Sequence, residues 1–119
     1  MNTTYLTPAK QTAWKEVTFR WKADPASYRM AQVDVNLKTV VDLTDPHIQK
    51  EYGISRELLT EDDYKQTQRL ANALRAEGVE AVWTYSRPDQ PDGRMLVVFV
   101  DNLRTTSYVR LKAVEGIQS

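Results

Sequence analysis

Apolar positions along the chain follow two rhythms. Thr3-Thr4-Tyr5-Leu6 reads as a short strand, and a helical rhythm follows it: Ala9, Ala13, Val17 and Trp21, with Trp14 and Thr18 beside them. This spacing lays one apolar stripe along a helix from Pro8 to about Lys22. Thr7 is placed to cap that helix, and Pro8 suits its first position because proline has no N–H to satisfy there. Asp24-Pro25-Ala26-Ser27 breaks the pattern. From Met30 to Leu37 the rhythm becomes alternating, with Val33, Val35 and Leu37 opposed to Gln32, Asp34 and Asn36, which predicts a half-buried strand. Val40-Val41-Asp42-Leu43 continues extended as far as Thr44-Asp45-Pro46, a turn or a new helix cap.

The stretch from His47 to Thr60 is polar and predicts short helices around Ile48 and Leu58-Leu59. Thr60-Glu61-Asp62-Asp63 then opens the strongest helical signal, a capping threonine followed by carboxylates that favour the positive end of a helix. Tyr64, Thr67, Leu70, Ala71 and Leu74 form its inward stripe, and Gly78 is its stop. Ala81 to Tyr85 and Met95 to Val100 read as strands around a Pro/Gly/Asp-rich loop from Ser86 to Arg94. Tyr108 to Val114 predicts a last edge strand. The elements imply one α+β domain, a mixed sheet with helices packed on it.

Composition narrows the chemistry. The 119 residues carry 16 Lys+Arg and 16 Asp+Glu, so the broad positive field of a nucleic-acid binder is missing. No apolar run approaches the roughly 18 residues that span a bilayer, and Met1-Asn2-Thr3-Thr4-Tyr5 lacks the basic and apolar parts of a signal peptide. A cytoplasmic protein without direct nucleic-acid or membrane partners is expected. With no Cys and one His, thiolate chemistry and multi-histidine metal centres are excluded, and no metal is expected.

Local motifs alone do not define an active site. The four glycines are too scattered for a phosphate-cradling loop. His47 lies in a polar segment with no nucleophile elbow around any serine, which suits a surface residue near a helix start. Glu61, Asp62 and Asp63 are explained as helix-cap carboxylates. Glu16 lies at the edge of the first helical stripe, where an exposed carboxylate paired with Arg20 is the plain alternative to a functional one. Ser86 opens a loop directly after a strand and precedes Arg87, a place suited to a phosphate or a sugar hydroxyl, or to an ordinary turn serine before Pro88. Tyr5, Tyr85 and the tryptophans are by default packing residues.

Taken in order, several segments resemble the RES domain family. Tyr5-Leu6-Thr7, Ala13 and Glu16 resemble its Y-L-A…A-x-x-E segment, and Val40-Val41-Asp42-Leu43-Thr44 resembles its V-L-D-L-T strand end. Thr67-Gln68-Arg69-Leu70-Ala71, Leu74 and Gly78 resemble its T-Q-x-L-A…L…G helix. Ala81 to Ser86, Gly93 and Leu96-Val97-Val98-Phe99 resemble its closing strand, serine, glycine and strand. The likeness runs through about residues 3 to 100. The family's proline before the serine is Tyr85 here, and Arg87 stands where the family has a small residue. Its arginine belongs upstream of the tyrosine strand, and neither Arg20 nor Arg87 falls at that position. The expectation is therefore a single RES-like domain over residues 1–119, incomplete at its N-terminus.

The resemblance implies an ADP-ribosyltransferase-like fold and a toxin of RES-Xre toxin–antitoxin systems. Such a toxin consumes NAD by cleaving the bond between nicotinamide and ribose and passes ADP-ribose to phosphate, water or a protein. NAD is its substrate, phosphate a further small partner, and an Xre-type antitoxin its protein partner. Carried over by position, Glu16 and Ser86 are the catalytic residues, and Tyr5 and Ser86 contact the nucleotide; Arg87, beside the serine, is expected to contact it as well. A second reading is an RES remnant that binds antitoxin or nucleotide without turnover. A third is an α+β interaction domain with an accidental likeness to RES.

Overall fold

The computed structural model describes residues 3–9, 11–13, 15–16, 29–60, 65–86, 89 and 93–116. The first strand, β1 (Thr3–Leu6), runs where the sequence predicts it. Of the helix expected from Pro8 to Lys22, residues 11–13 and 15–16 are helical, and the part beyond residue 16 lies outside the described residues. The start differs from expectation. Pro8 and Ala9 form a bend ahead of the helix, and the Thr7 hydroxyl donates to the Ala9 carbonyl at 3.0 Å. The first helical bond described runs from the Ala13 amide to the Ala9 carbonyl at 3.2 Å.

β2 (Arg29–Asn36) and β3 (Val40–Asp42) follow, then helices α1 (Pro46–Tyr52), α2 (Arg56–Leu59) and α3 (Lys65–Ala76). α1 begins on the Asp45 carboxylate, which accepts from the His47 amide at 2.9 Å, so Thr44-Asp45-Pro46 is a helix cap. α2 begins on Ser55, whose hydroxyl accepts from the Leu58 amide. Thr60 closes α2, its hydroxyl donating back to the Arg56 carbonyl at 2.8 Å. The expected role of Thr60 as cap of the next helix rests on Glu61, Asp62, Asp63 and Tyr64, which lie outside the described residues. α3 turns Leu74 fully inward with Leu70 and Ala71 beside it, and ends at Gly78, whose φ of 89° is strained for any side chain.

β4 (Ala81–Tyr85) and β5 (Arg94–Phe99) are the central strands of a four-stranded sheet ordered β1-β5-β4-β3. β1 and β4 run antiparallel to β5, while β3 runs parallel to β4. Val100 leaves the strand for a short 3-10 turn, Val100–Asn102. The last strand, β6 (Tyr108–Gly116), does not extend this sheet. It pairs with β2 in a separate two-stranded sheet, with an irregularity between Gln32 and Val33.

The uninterrupted apolar run of β5 has a tertiary cause: both faces of the central strands are covered. On one face Leu43, Leu59, Leu74, Val82, Met95, Val97 and Phe99 form the larger core under the helices. On the other, Ala81, Leu96 and Val98 pack with Leu6, Leu37 and Val109 toward the two-stranded sheet. Val35, Leu111 and Val114 of the second sheet are exposed.

Glu80, fully buried just before β4, ties these layers together. Its Oε1 accepts from the amides of Lys38 and Thr39 at 2.7 and 2.8 Å and from the Thr39 hydroxyl at 3.0 Å. Its Oε2 accepts from the Arg104 amide at 3.0 Å. Burial opposes the charge, but the donating amides of Arg104, Thr39 and Lys38 prevail and lower the carboxyl from 4.5 to about 2. One carboxylate thus satisfies backbone donors from both flanking loops. Among the described residues, no helix is long and apolar enough to cross a membrane.

Candidate functional site

β1 and β4 point the same way, because each is antiparallel to β5. The chain therefore leaves both strands at the same end of the sheet. From β1 it enters the N-terminal helical segment that carries Thr12, Lys15 and Glu16; from β4 it enters the loop that opens with Ser86. This topology brings together residues that are distant in sequence.

Ser86 Oγ donates to Glu16 Oε2 at 2.7 Å, a charge-assisted bond between groups 70 residues apart. Ser86 is 0% exposed and Glu16 is 8% exposed. The plain alternative for Glu16 is thereby corrected, since it is not an exposed helix carboxylate. Ser86 is buried where its loop begins. Burial strengthens a hydrogen bond between charged and polar groups and limits their reorganisation.

The loop after β4 is closed on itself. The Ser86 amide donates to the Gly93 carbonyl at 2.9 Å, the Asp89 amide to the Ser86 carbonyl at 3.2 Å, and the Gly93 amide to the Asp89 carbonyl at 2.6 Å. A Cβ at Gly93 would overlap the Asp89 backbone and come within 2.8 Å of its Cγ, so only glycine fits this approach. Asp89 then reaches the helical segment. It accepts from Thr12 Oγ1 at 2.6 Å and pairs with Lys15 Nζ at 2.8 Å. Hydrogen bonds from Lys15 and Thr12, with the Lys15 charge, hold the Asp89 carboxyl below its usual range.

Sequence reasoning did not select Thr12, Lys15 or Asp89. Thr12 stands one helical turn before Glu16, so a shared face was available as a signal. Nothing in the local sequence of Asp89 marks it, because its partners are 74 and 77 residues away.

The other anticipated residues are placed differently. Tyr5 is 58% exposed, which corrects the default reading of it as a core aromatic. It is paired across the ladder with Val97, and Val97 with Val82, so its ring stands on the sheet face that also carries Thr84, one step short of Ser86. Arg87 lies outside the described residues. His47 is exposed on α1. Tyr85, which replaces the family proline, is half-buried: its hydroxyl accepts from Gln49 Nε2 at 2.9 Å, and the Arg56 guanidinium lies 4.7 Å from its ring centre. Among the described residues, no group of His, Cys, Asp or Glu is arranged to hold a metal ion.

The fold and the site together define a mixed α+β domain with a buried serine–carboxylate pair at the end of its central strand. The chain belongs to the RES domain family, whose family model matches residues 2–114. Its fold is that of a chain in the crystal structure of the M. tuberculosis MbcT–MbcA toxin–antitoxin complex, with a TM-score of 0.76 at 21% sequence identity. That superposition covers 94% of this chain but 64% of the other, so the chain spans less than two-thirds of the protein it resembles. No curated protein matches the chain.

Proposed function

We propose that this protein is an RES-type toxin component that consumes NAD by cleaving the nicotinamide–ribose bond. The observation that carries the reading is the buried Ser86–Glu16 hydrogen bond of 2.7 Å, made by the two residues that match the family's serine and glutamate. When the glycosidic bond breaks, its electron pair leaves with the nicotinamide nitrogen and the ribose C1′ acquires oxocarbenium character. A fixed carboxylate at that carbon stabilises the developing positive charge, and Glu16, which matches the family's glutamate, takes that role in this reading. Ser86 orients Glu16 and contributes a hydroxyl to the ribose or a phosphate. Tyr5, with its ring exposed on the same sheet face, stacks on the nicotinamide. Arg87 adds a cation for the pyrophosphate. ADP-ribose passes to phosphate, water or a protein acceptor.

The partner in this reading is an Xre-type antitoxin that covers the site. Its support is the likeness of the fold to a chain from a toxin–antitoxin complex. The site would act in the cytoplasm, where NAD is available.

The deciding measurement is nicotinamide release from NAD by the purified chain, with and without phosphate, beside Glu16→Gln. Release that falls about 100- to 1000-fold in the variant supports the assignment. Equal release by both proteins removes Glu16 from the mechanism. Saturable NAD binding without release assigns the chain to the second reading, a nucleotide-binding module.

A further inference from the structure

We propose that Asp89 is a positioning residue for the Glu16–Ser86 pair, clasping the loop after β4 to the N-terminal helical segment through Thr12 and Lys15. The inference rests on the NAD-consuming reading of the site for its catalytic consequence, and on geometry alone for the clasp itself.

The backbone bonds among Ser86, Asp89 and Gly93 make the loop a closed ring, but they are all internal to it. They set its shape without setting where it sits against the helix. The Ser86–Glu16 bond ties the start of the loop to the helix. Asp89 adds an attachment further along the loop. Its Oδ2 accepts from Thr12 Oγ1 at 2.6 Å and its Oδ1 from Lys15 Nζ at 2.8 Å, which fixes the loop's orientation against the helix. Thr12 and Glu16 are one turn apart on the helix, about 6 Å of rise, so the two attachments bracket the site.

The Lys15–Asp89 ion pair is partly exposed, and the buried member of the arrangement is Thr12. Thr12 is 3% exposed, and its hydroxyl is aimed at the loop. The Gly93 approach packs Asp89 from the other side, where any side chain would displace it. The Lys15 charge offsets that of the Asp89 carboxylate. Asp89 acts through Glu16 and Ser86.

The test compares Asp89→Ala, Asp89→Asn and Thr12→Val with the unaltered chain in two measurements: NAD turnover, and amide hydrogen exchange at Ser86. Asp89→Ala is expected to lower kcat roughly 10- to 100-fold with KM within about threefold, as a misplaced catalytic group does. It also speeds Ser86 exchange at least tenfold while the Val97 and Val98 amides of β5 keep their protection. Asp89→Asn, whose side-chain oxygen still accepts from Thr12, restores most of kcat, and Thr12→Val reproduces the loss in part. Unchanged kcat and unchanged Ser86 protection in Asp89→Ala overturn the proposal. So does a loss of kcat that only follows the folded fraction in a thermal melt. If the unaltered chain consumes no NAD, the functional reading falls, and Ser86 exchange alone decides the clasp: unchanged protection overturns it.

Discussion

Ser86 donates its hydroxyl proton to the Glu16 carboxylate across 70 residues of sequence, in a site nearly closed to water. Replacing Ser86 by Ala removes this donor and leaves the carboxylate to be satisfied by its remaining partners. A lost hydrogen bond to a buried charge costs about 1.5–3 kcal/mol. Denaturant unfolding should show a loss of that order for Ser86→Ala, and calorimetry a weaker affinity for NAD. Full stability with unchanged NAD affinity would return Ser86 to the role of an ordinary loop residue.

Gly93 is pressed against Asp89 where the loop closes. Gly93→Ala forces the added methyl into the Asp89 backbone, and overpacking of this kind costs about 1–3 kcal/mol. The expected result is a lowered unfolding midpoint together with lower NAD turnover, because the strain falls on the loop that carries Ser86. Wild-type values for both would mean that the loop relaxes without disturbing the site.

Tyr5 separates binding from folding. At 58% exposed it contributes little to the core, so Tyr5→Ala should change stability by no more than about 0.5 kcal/mol. A lost aromatic stack is worth about 0.5–1.5 kcal/mol, which predicts a KM for NAD raised roughly three- to tenfold. Steady-state kinetics on Tyr5→Ala and Tyr5→Phe make the comparison, with Phe retaining the wild-type KM.

Glu80 makes stability depend on pH at the acid end. Its carboxyl lies at about 2 in the folded chain against an ordinary value of 4.5, so the unfolded chain binds the proton more tightly. The stabilisation is therefore complete above about pH 4.5 and is lost as the pH falls through about 2. Urea unfolding between pH 2 and 6 should show this decline, and Glu80→Gln should reduce its slope (about one carboxyl's worth of proton uptake). At neutral pH, Glu80→Ala leaves several buried amides without an acceptor and should cost about 3 kcal/mol.

Part of this structure was legible without coordinates. The alternation from Met30 to Leu37 and the stripe of Leu70, Ala71 and Leu74 each specify a local element, because burial of one face imposes its own period. Asp45 and Gly78 mark helix ends through local hydrogen bonding and backbone freedom. Thr7 shows the limit of such reading. It is a capping residue by type, yet its hydroxyl donates to the Ala9 carbonyl in a bend. A threonine hydroxyl serves either end of a turn, and the neighbouring packing chooses which.

The site divides along the same line. Element types, RES motifs and the nomination of Glu16 and Ser86 were legible in the chain, since each depends on residues close together in it. Long-range packing alone makes β6 leave the main sheet to pair with β2, leaves Tyr5 exposed, and buries Glu16 against Ser86. It alone brought Thr12 and Lys15 to Asp89. The physical reason is that β1 and β4 end on the same side of one sheet: strand direction is set by long-range pairing, and no local pattern records which loop will meet which helix.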